Sequence, residues 1–235
     1  MDRRGAGLNR PARGDAPSVE ALLGDLDAVV RAAAARRGPL HLAGFCWGSV
    51  YAVNFLADSS LRVDGAIHVA PSLFPAPLVL GRPFATGDSG EATEEPVMPI
   101  ERFTDGPSFE SFIVPDPLRL RWVSPRMNAC MQRLSAGIWM KFLRLDLPCL
   151  MILGERDAVV DDRATRRAFE RLAVDRKRLH ALDSAHGIQF DAPQAAAALV
   201  RDWVLGLARA DAPSAPSAPG AGDAGRAVGA GTGGA

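Results

Sequence analysis

The chain has 235 residues, 48% hydrophobic and 23% charged, enough apolar material for one sizeable core in a single large domain. Its 27 basic residues balance 27 acidic ones, so no net field draws it to nucleic acid or an anionic membrane surface, and neither partner is expected. Cysteines at 46, 130 and 149 show no paired spacing and no C-x-x-C cluster, a usage that suits a reducing cytoplasm. A cytoplasmic location is expected, with no metal and no cofactor. The first residues, Met1-Asp-Arg-Arg-Gly5, lack an apolar signal core, and no stretch approaches the roughly 20 apolar residues that span a bilayer.

After a loop rich in Gly, Pro and Arg, apolar residues at Val19, Leu22, Leu23, Leu26, Val29, Val30 and Ala33 predict an amphipathic helix over Ser18 to Arg37. Ser18 is its cap and Gly38 its stop. Leu40 to Ala43 form a short strand-like run, and Val50, Ala52, Val53, Phe55 and Leu56 follow with helical rhythm. Between them stands Gly44-Phe-Cys-Trp-Gly48, the G-x-nucleophile-x-G pattern with cysteine at the centre. Strand, elbow and helix are the setting this pattern requires. Small residues are expected at both Gly44 and Gly48, because side chains would collide in so sharp a turn, while Cys46 is thrust outward on unfavourable backbone angles.

Gly65 to Ala70 reads as a strand buried on both faces, as in a parallel sheet. From Pro71 to Leu147 the rhythm breaks: prolines are frequent, Asp88 to Glu95 is acidic, and only short amphipathic pieces such as Met127 to Leu145 appear. This stretch is expected to be an inserted cap, at about 72–147, with a flap over Gly81 to Pro99. Trp122, Met127, Trp139 and Met140 are candidates either for its pocket lining or for its ordinary core. Regular alternation resumes with a strand over Pro148 to Gly154, a helix over Asp162 to Leu172, a strand over Arg178 to Leu182, and a last helix with Pro193 in its first turn. The expected domain is 1–208, followed by a disordered Ala/Pro/Gly-rich tail, 210–235.

Nucleophilic acyl transfer needs a base for the nucleophile's proton and an acid to orient the base, and elbow folds supply them in the order nucleophile, acid, histidine. Here Cys46 is followed by Asp157, just past the strand ending at Gly154, and by His186, just past the last strand. Open α/β sheets place their ligands at this carboxyl edge. Glu155, Asp161 and Asp183 compete with Asp157 as the acid. His41, His68 and His180 fall inside strands and are expected to be packed and satisfied. Cys130 and Cys149 fall on apolar faces and are expected to be core thiols.

On these residues the chain resembles the α/β-hydrolase superfamily, within it the capped lysophospholipase and monoacylglycerol lipase-like group, also labelled serine aminopeptidase-like. The resemblance is carried by Gly44-Phe-Cys-Trp-Gly-Ser49, Pro71-Ser-Leu-Phe74, Asp116-Pro-Leu118, Leu147 to Asp157 and Ala185 to Asp191, and runs from Asp2 to about Ala208. It implies a mostly parallel sheet flanked by helices, with a helical or irregular cap. It also implies hydrolysis of a carboxylic ester through a covalent acyl-enzyme, with the Trp47 N–H in the oxyanion hole.

Two features depart from that group. Cysteine stands in the serine position, as in dienelactone hydrolases and polyhydroxyalkanoate synthases, so thioesters join esters as substrates and acyl transfer to an alcohol or thiol becomes an alternative. The strands that precede the Asp2 loop in the family are also missing, which makes the fold partial and removes the second oxyanion donor. Met1 is expected to be an internal residue of a longer protein, the other explanation being an inactive truncated scaffold. The open edge of the elbow strand is exposed to another chain, a homo-oligomer being one outcome.

Overall fold

Residues 1–36, 38–74, 103–106 and 111–210 are described by a computed structural model of the protein. The acidic segment 88–95, the flap 81–99 and the tail residues 211–235 lie outside the described residues, as does much of the expected cap.

Local signals account for the element boundaries. Helix α1 (Val19–Ala34) begins where the Ser18 hydroxyl accepts the Ala21 N–H at 3.1 Å, and it buries Leu22, Leu26 and Val30, one stripe of a 3.6-residue period. Strand β1 (His41–Phe45) leads through Cys46 into α2 (Trp47–Asp58), and β2 is Gly65–Val69. Helix α3 (Pro125–Ser135) carries proline at its first position and is capped by Ser124, whose hydroxyl accepts the Met127 N–H at 3.0 Å. A short α4 (Ile138–Phe142) follows, then β3 (Cys149–Gly154), α5 (Asp162–Arg171), β4 (Lys177–Leu182), α6 (Ile188–Asp191) and α7 (Pro193–Ala210).

Among the described residues the sheet has four parallel strands in the order β1-β2-β3-β4, with Ala43 level with Ile67, Ile67 with Leu150, and Leu150 with Arg178. Every residue of β3 is buried, as a central parallel strand requires. Its alternation sends Cys149, Met151 and Leu153 into the larger core, shared with α1, α2, α3, α4 and α5. Leu150 and Ile152 enter a smaller core beneath Trp203 and Leu207 of α7. Helices therefore cover both faces, and the chain is an α/β protein with a parallel sheet.

Among the described residues β1 is an edge of this sheet, so the strand that delivers Cys46 is paired there with β2 alone. Two of the three strand histidines differ from expectation. Among the described residues, fully buried His68 has neither ring nitrogen hydrogen-bonded and half-buried His41 has a partner for neither of its nitrogens, so these rings are packed but not satisfied. His180 is half-buried on β4.

Candidate active site

Cys46 occupies the junction of β1 and α2 at φ 50° and ψ −120°, a region that L side chains populate rarely and at a cost of about 1–3 kcal/mol. The surroundings hold it there. Its N–H donates to Val69 O at 2.9 Å, and its carbonyl accepts from Ser49 N at 3.0 Å and Ser72 N at 3.1 Å. The buried Ser49 hydroxyl reaches back to the Gly44 carbonyl at 2.8 Å. A Cβ at Gly44 would lie 2.6 Å from the backbone of Gly48 and Ser49, which explains that glycine. Gly48 corrects the sequence-based expectation: a Cβ there would meet nothing within 4 Å, because it lies within α2 and borders a cavity.

The two other candidate residues come from the carboxyl ends of β3 and β4. Asp157 follows β3, and one of its carboxylate oxygens accepts the N–H groups of Val159 and Val160 at 2.8 and 3.0 Å. The other lies 2.8 Å from His186 Nδ1. A carboxylate only accepts, so Nδ1 carries a proton and donates it, and Nε2 is the nitrogen left for chemistry. The rings of Phe45 and Phe103 pack at 5.4 Å from the imidazole and exclude water from it. The Gly187 N–H donates to Phe103 O, and Asp191 takes the Ala185 N–H at 3.0 Å, so the loop bearing His186 is tied at both ends.

The competing acids lie elsewhere. Asp161 caps α5 by accepting the Ala164 N–H at 2.9 Å, Glu155 is exposed, and Asp183 pairs with Arg156 at the surface. Burial pulls the His186 pKa down, but the hydrogen bond to Asp157 and the contact with Cys46, together with the charge of both, outweigh it and raise the pKa to about 10. Nε2 is buried and closes no hydrogen bond of ordinary geometry, so Cys46 acts on the ring as a close polar neighbour. The Trp47 N–H is the first of α2 and has no acceptor within the helix, which leaves it available beside Cys46.

A cavity of about 550 Å³ opens along β1 beside Cys46 and Gly48, with apolar walls from Leu26, Val30, Leu42 and Val63. Arg3 and Tyr51 also line it, neither of them singled out by the sequence, because their approach depends on how the first loop folds back onto α2. None of the four cap candidates lines it: Met127 is core, and Trp139 and Met140 are largely exposed. A larger cavity, about 770 Å³, lies between β4 and α7 near Arg178 and His180, away from the three candidate residues. Among the described residues no group of three or more His, Cys, Asp or Glu side chains could hold a metal, and no helix is long and apolar enough to cross a membrane.

Comparison with known proteins adds the family. The profile described as serine aminopeptidase, S33, matches residues 1–193. No curated protein matches the sequence. Among solved structures, a monoacylglycerol lipase from Paleococcus ferrophilus superimposes with a TM-score of 0.70 at 20% identity, covering 87% of this chain and 80% of that one. A soluble variant of the Saccharomyces cerevisiae monoglyceride lipase gives 0.73 at 17% identity, covering 88% and 75%. A thermostable carboxyl esterase from Bacillus coagulans gives 0.64 at 16% identity, covering 89% and 79%. Its parallel sheet, its helices on both faces and the match over residues 1–193 make this chain a member of the serine aminopeptidase S33 family, an enzyme of the α/β-hydrolase fold.

Proposed function

We propose that the protein hydrolyses a carboxylic ester or thioester through an acyl-cysteine intermediate, with Cys46 as nucleophile, His186 as base and acid, and Asp157 as the group that orients His186. The observation that carries this reading is the 2.8 Å bond between His186 and Asp157, set beside a Cys46 held at a strained strand-to-helix turn. The solved neighbours, two lipases and an esterase, support an ester in preference to a peptide.

In this reaction the Cys46 thiol first passes its proton to His186 Nε2, and the sulfur, paired with the resulting imidazolium, attacks the carbonyl carbon while the carbonyl π electrons move onto oxygen. The Trp47 N–H donates to that oxyanion. The oxyanion collapses, the bond to the leaving oxygen or sulfur breaks, and His186 returns the proton to it. Water then attacks the acyl-cysteine with His186 again as base, releasing the acid and restoring the thiol. The raised proton affinity of His186 suits a base that must draw a proton from a thiol.

Release of acid from short acyl esters and thioesters, lost in Cys46→Ala, is the test. Equal turnover by that variant would sink the proposal. Product analysis with added alcohol or thiol acceptors separates hydrolysis from acyl transfer.

A further inference from the structure

The cavity beside Cys46 contains two hydrogen-bond donors that the acyl-transfer steps leave unused. The Arg3 guanidinium lies over the Trp47 ring, its Cζ 5.0 Å from the ring centroid, and Nη1 reaches the Met127 sulfur at 3.7 Å. Among the described residues no carboxylate pairs with Arg3. Its neighbour Arg4, by contrast, is held by both oxygens of Asp25, at 2.8 and 2.7 Å, and this fork anchors the first loop to α1. The anchored loop leaves Arg3 facing α2.

Tyr51 stands one helical turn after Trp47 and packs edge-on against its ring, with centroids 4.5 Å apart. The residue is 8% exposed, and among the described residues its buried hydroxyl closes no hydrogen bond of ordinary geometry. Burial pushes its pKa up to about 12, and Arg3 works against that rise through its positive charge and through the approach of its N–H groups to the hydroxyl oxygen, which leaves the O–H proton to be donated elsewhere. The hydroxyl is therefore a neutral donor beside a cation. Buried hydroxyls are as a rule satisfied, so the Tyr51 O–H, with the half-buried Arg3 guanidinium beside it, calls for an acceptor.

We propose that this cavity recognises a carboxylate on the substrate, with Arg3 and Tyr51 donating to its oxygens while Leu26, Val30 and Leu42 flank the apolar chain that connects it to the carbonyl at Cys46. The proposal rests on Cys46 being the nucleophile. It names a substrate class, esters or thioesters carrying a second, ionised acid group on the acyl or the leaving side.

Three matched activated esters test it: the p-nitrophenyl half-ester of adipic acid, its neutral methyl ester, and the hexanoate ester of a carboxylated nitrophenol. A higher kcat/KM for one carboxylated ester than for the neutral one is expected, and which one is preferred identifies the side that carries the anion. Arg3→Gln should lower that preference by about 10- to 100-fold, and Arg3→Lys should restore part of it, which a merely structural role for Arg3 would not do. Free adipate should also slow iodoacetamide labelling of Cys46 in the wild type and not in Arg3→Gln. Hydrolysis of the neutral ester with no anionic preference, or a preference that Arg3→Gln leaves intact, overturns the carboxylate site and leaves the nucleophile standing. No turnover of any ester together with no labelling of Cys46 overturns both. Absence of protection by adipate overturns the carboxylate site even where no ester turns over.

Discussion

His186 and Asp157, 29 positions apart in sequence, meet through an Nδ1–Oδ2 hydrogen bond of 2.8 Å with side chains 0% and 4% exposed. The second carboxylate oxygen is occupied by two backbone N–H groups, so the acid cannot swing away without leaving buried donors unpaired.

Asp157→Asn keeps the shape of this acid and removes its charge. The amide can present its NH₂ to Nδ1 and so favour the tautomer that places the proton on Nε2, the wrong nitrogen for a base. Ester kcat/KM is expected to fall by about 10³- to 10⁴-fold while the circular dichroism spectrum is retained. Wild-type turnover in this variant would remove Asp157 from the proposed machinery.

The three cysteines are expected to react at different rates with iodoacetamide near pH 6.5. Burial pushes the Cys149 thiol up to about 12 and raises that of Cys130, and both side chains lie in the larger core. Cys46 is partly exposed and has His186 for a neighbour. Mass mapping should place the fast label on Cys46 alone, and His186→Ala should slow it. Uniform labelling would count against activation of Cys46.

The strands and helices are legible in the sequence because their signals are local: Ser18 and Ser124 at helix starts, Pro193 in a first turn, and the unbroken apolar run of Cys149 to Gly154. The chain order of Cys46, Asp157 and His186, after β1, β3 and β4, is legible for the same reason. Contacts made at long range are not. The choice of Asp157 over Glu155 depends on where the β4 loop falls, the freedom around Gly48 on what borders α2, and the unsatisfied state of His68 among the described residues on how α4 packs its Phe142 against the strand. The Arg3–Tyr51 pair joins an irregular loop to a helix 48 positions on, and no periodicity marks it.

Gly44 and Gly48 should separate under substitution. Gly44→Ala drives a Cβ into fixed backbone and is expected to cost about 1–3 kcal/mol or more, with loss of activity as the turn shifts. Gly48→Ala meets open space in the first turn of α2 and should be neutral to about 1 kcal/mol stabilising. Urea melts of the two variants measure the contrast, and equal destabilisation would contradict this geometry.

His68 links stability to acid. Full burial holds its folded pKa at about 4, against an ordinary value near 6.5, and its ring meets only the Phe142 edge at 5.7 Å as an aromatic neighbour. Above pH 6.5 both folded and unfolded states are neutral. As pH falls from 6.5 to 4 the unfolded chain binds a proton that the folded one refuses, so up to about 3 kcal/mol of stability is lost across that window. Denaturant melts should show the loss in the wild type and a shallower slope in His68→Leu.

His186 acts in the opposite direction at alkaline pH. Its folded pKa is raised to about 10, so between the ordinary 6.5 and that value the folded protein keeps a proton that the unfolded chain has released. The stability contributed by the charged imidazole, resting on Asp157 and Cys46, is complete below pH 6.5 and is lost as pH rises through about 10. Lysines and tyrosines titrate in the upper part of this window, so the wild-type curve alone does not isolate the effect. The difference between wild type and Asp157→Asn does, because the substitution removes the main partner of the imidazolium and leaves those other groups in place. The stability gap between the two proteins should therefore be widest at about pH 6.5 and narrow steadily as pH approaches 10; a gap that stays constant from pH 6.5 to 10 would mean that Asp157 holds a neutral ring.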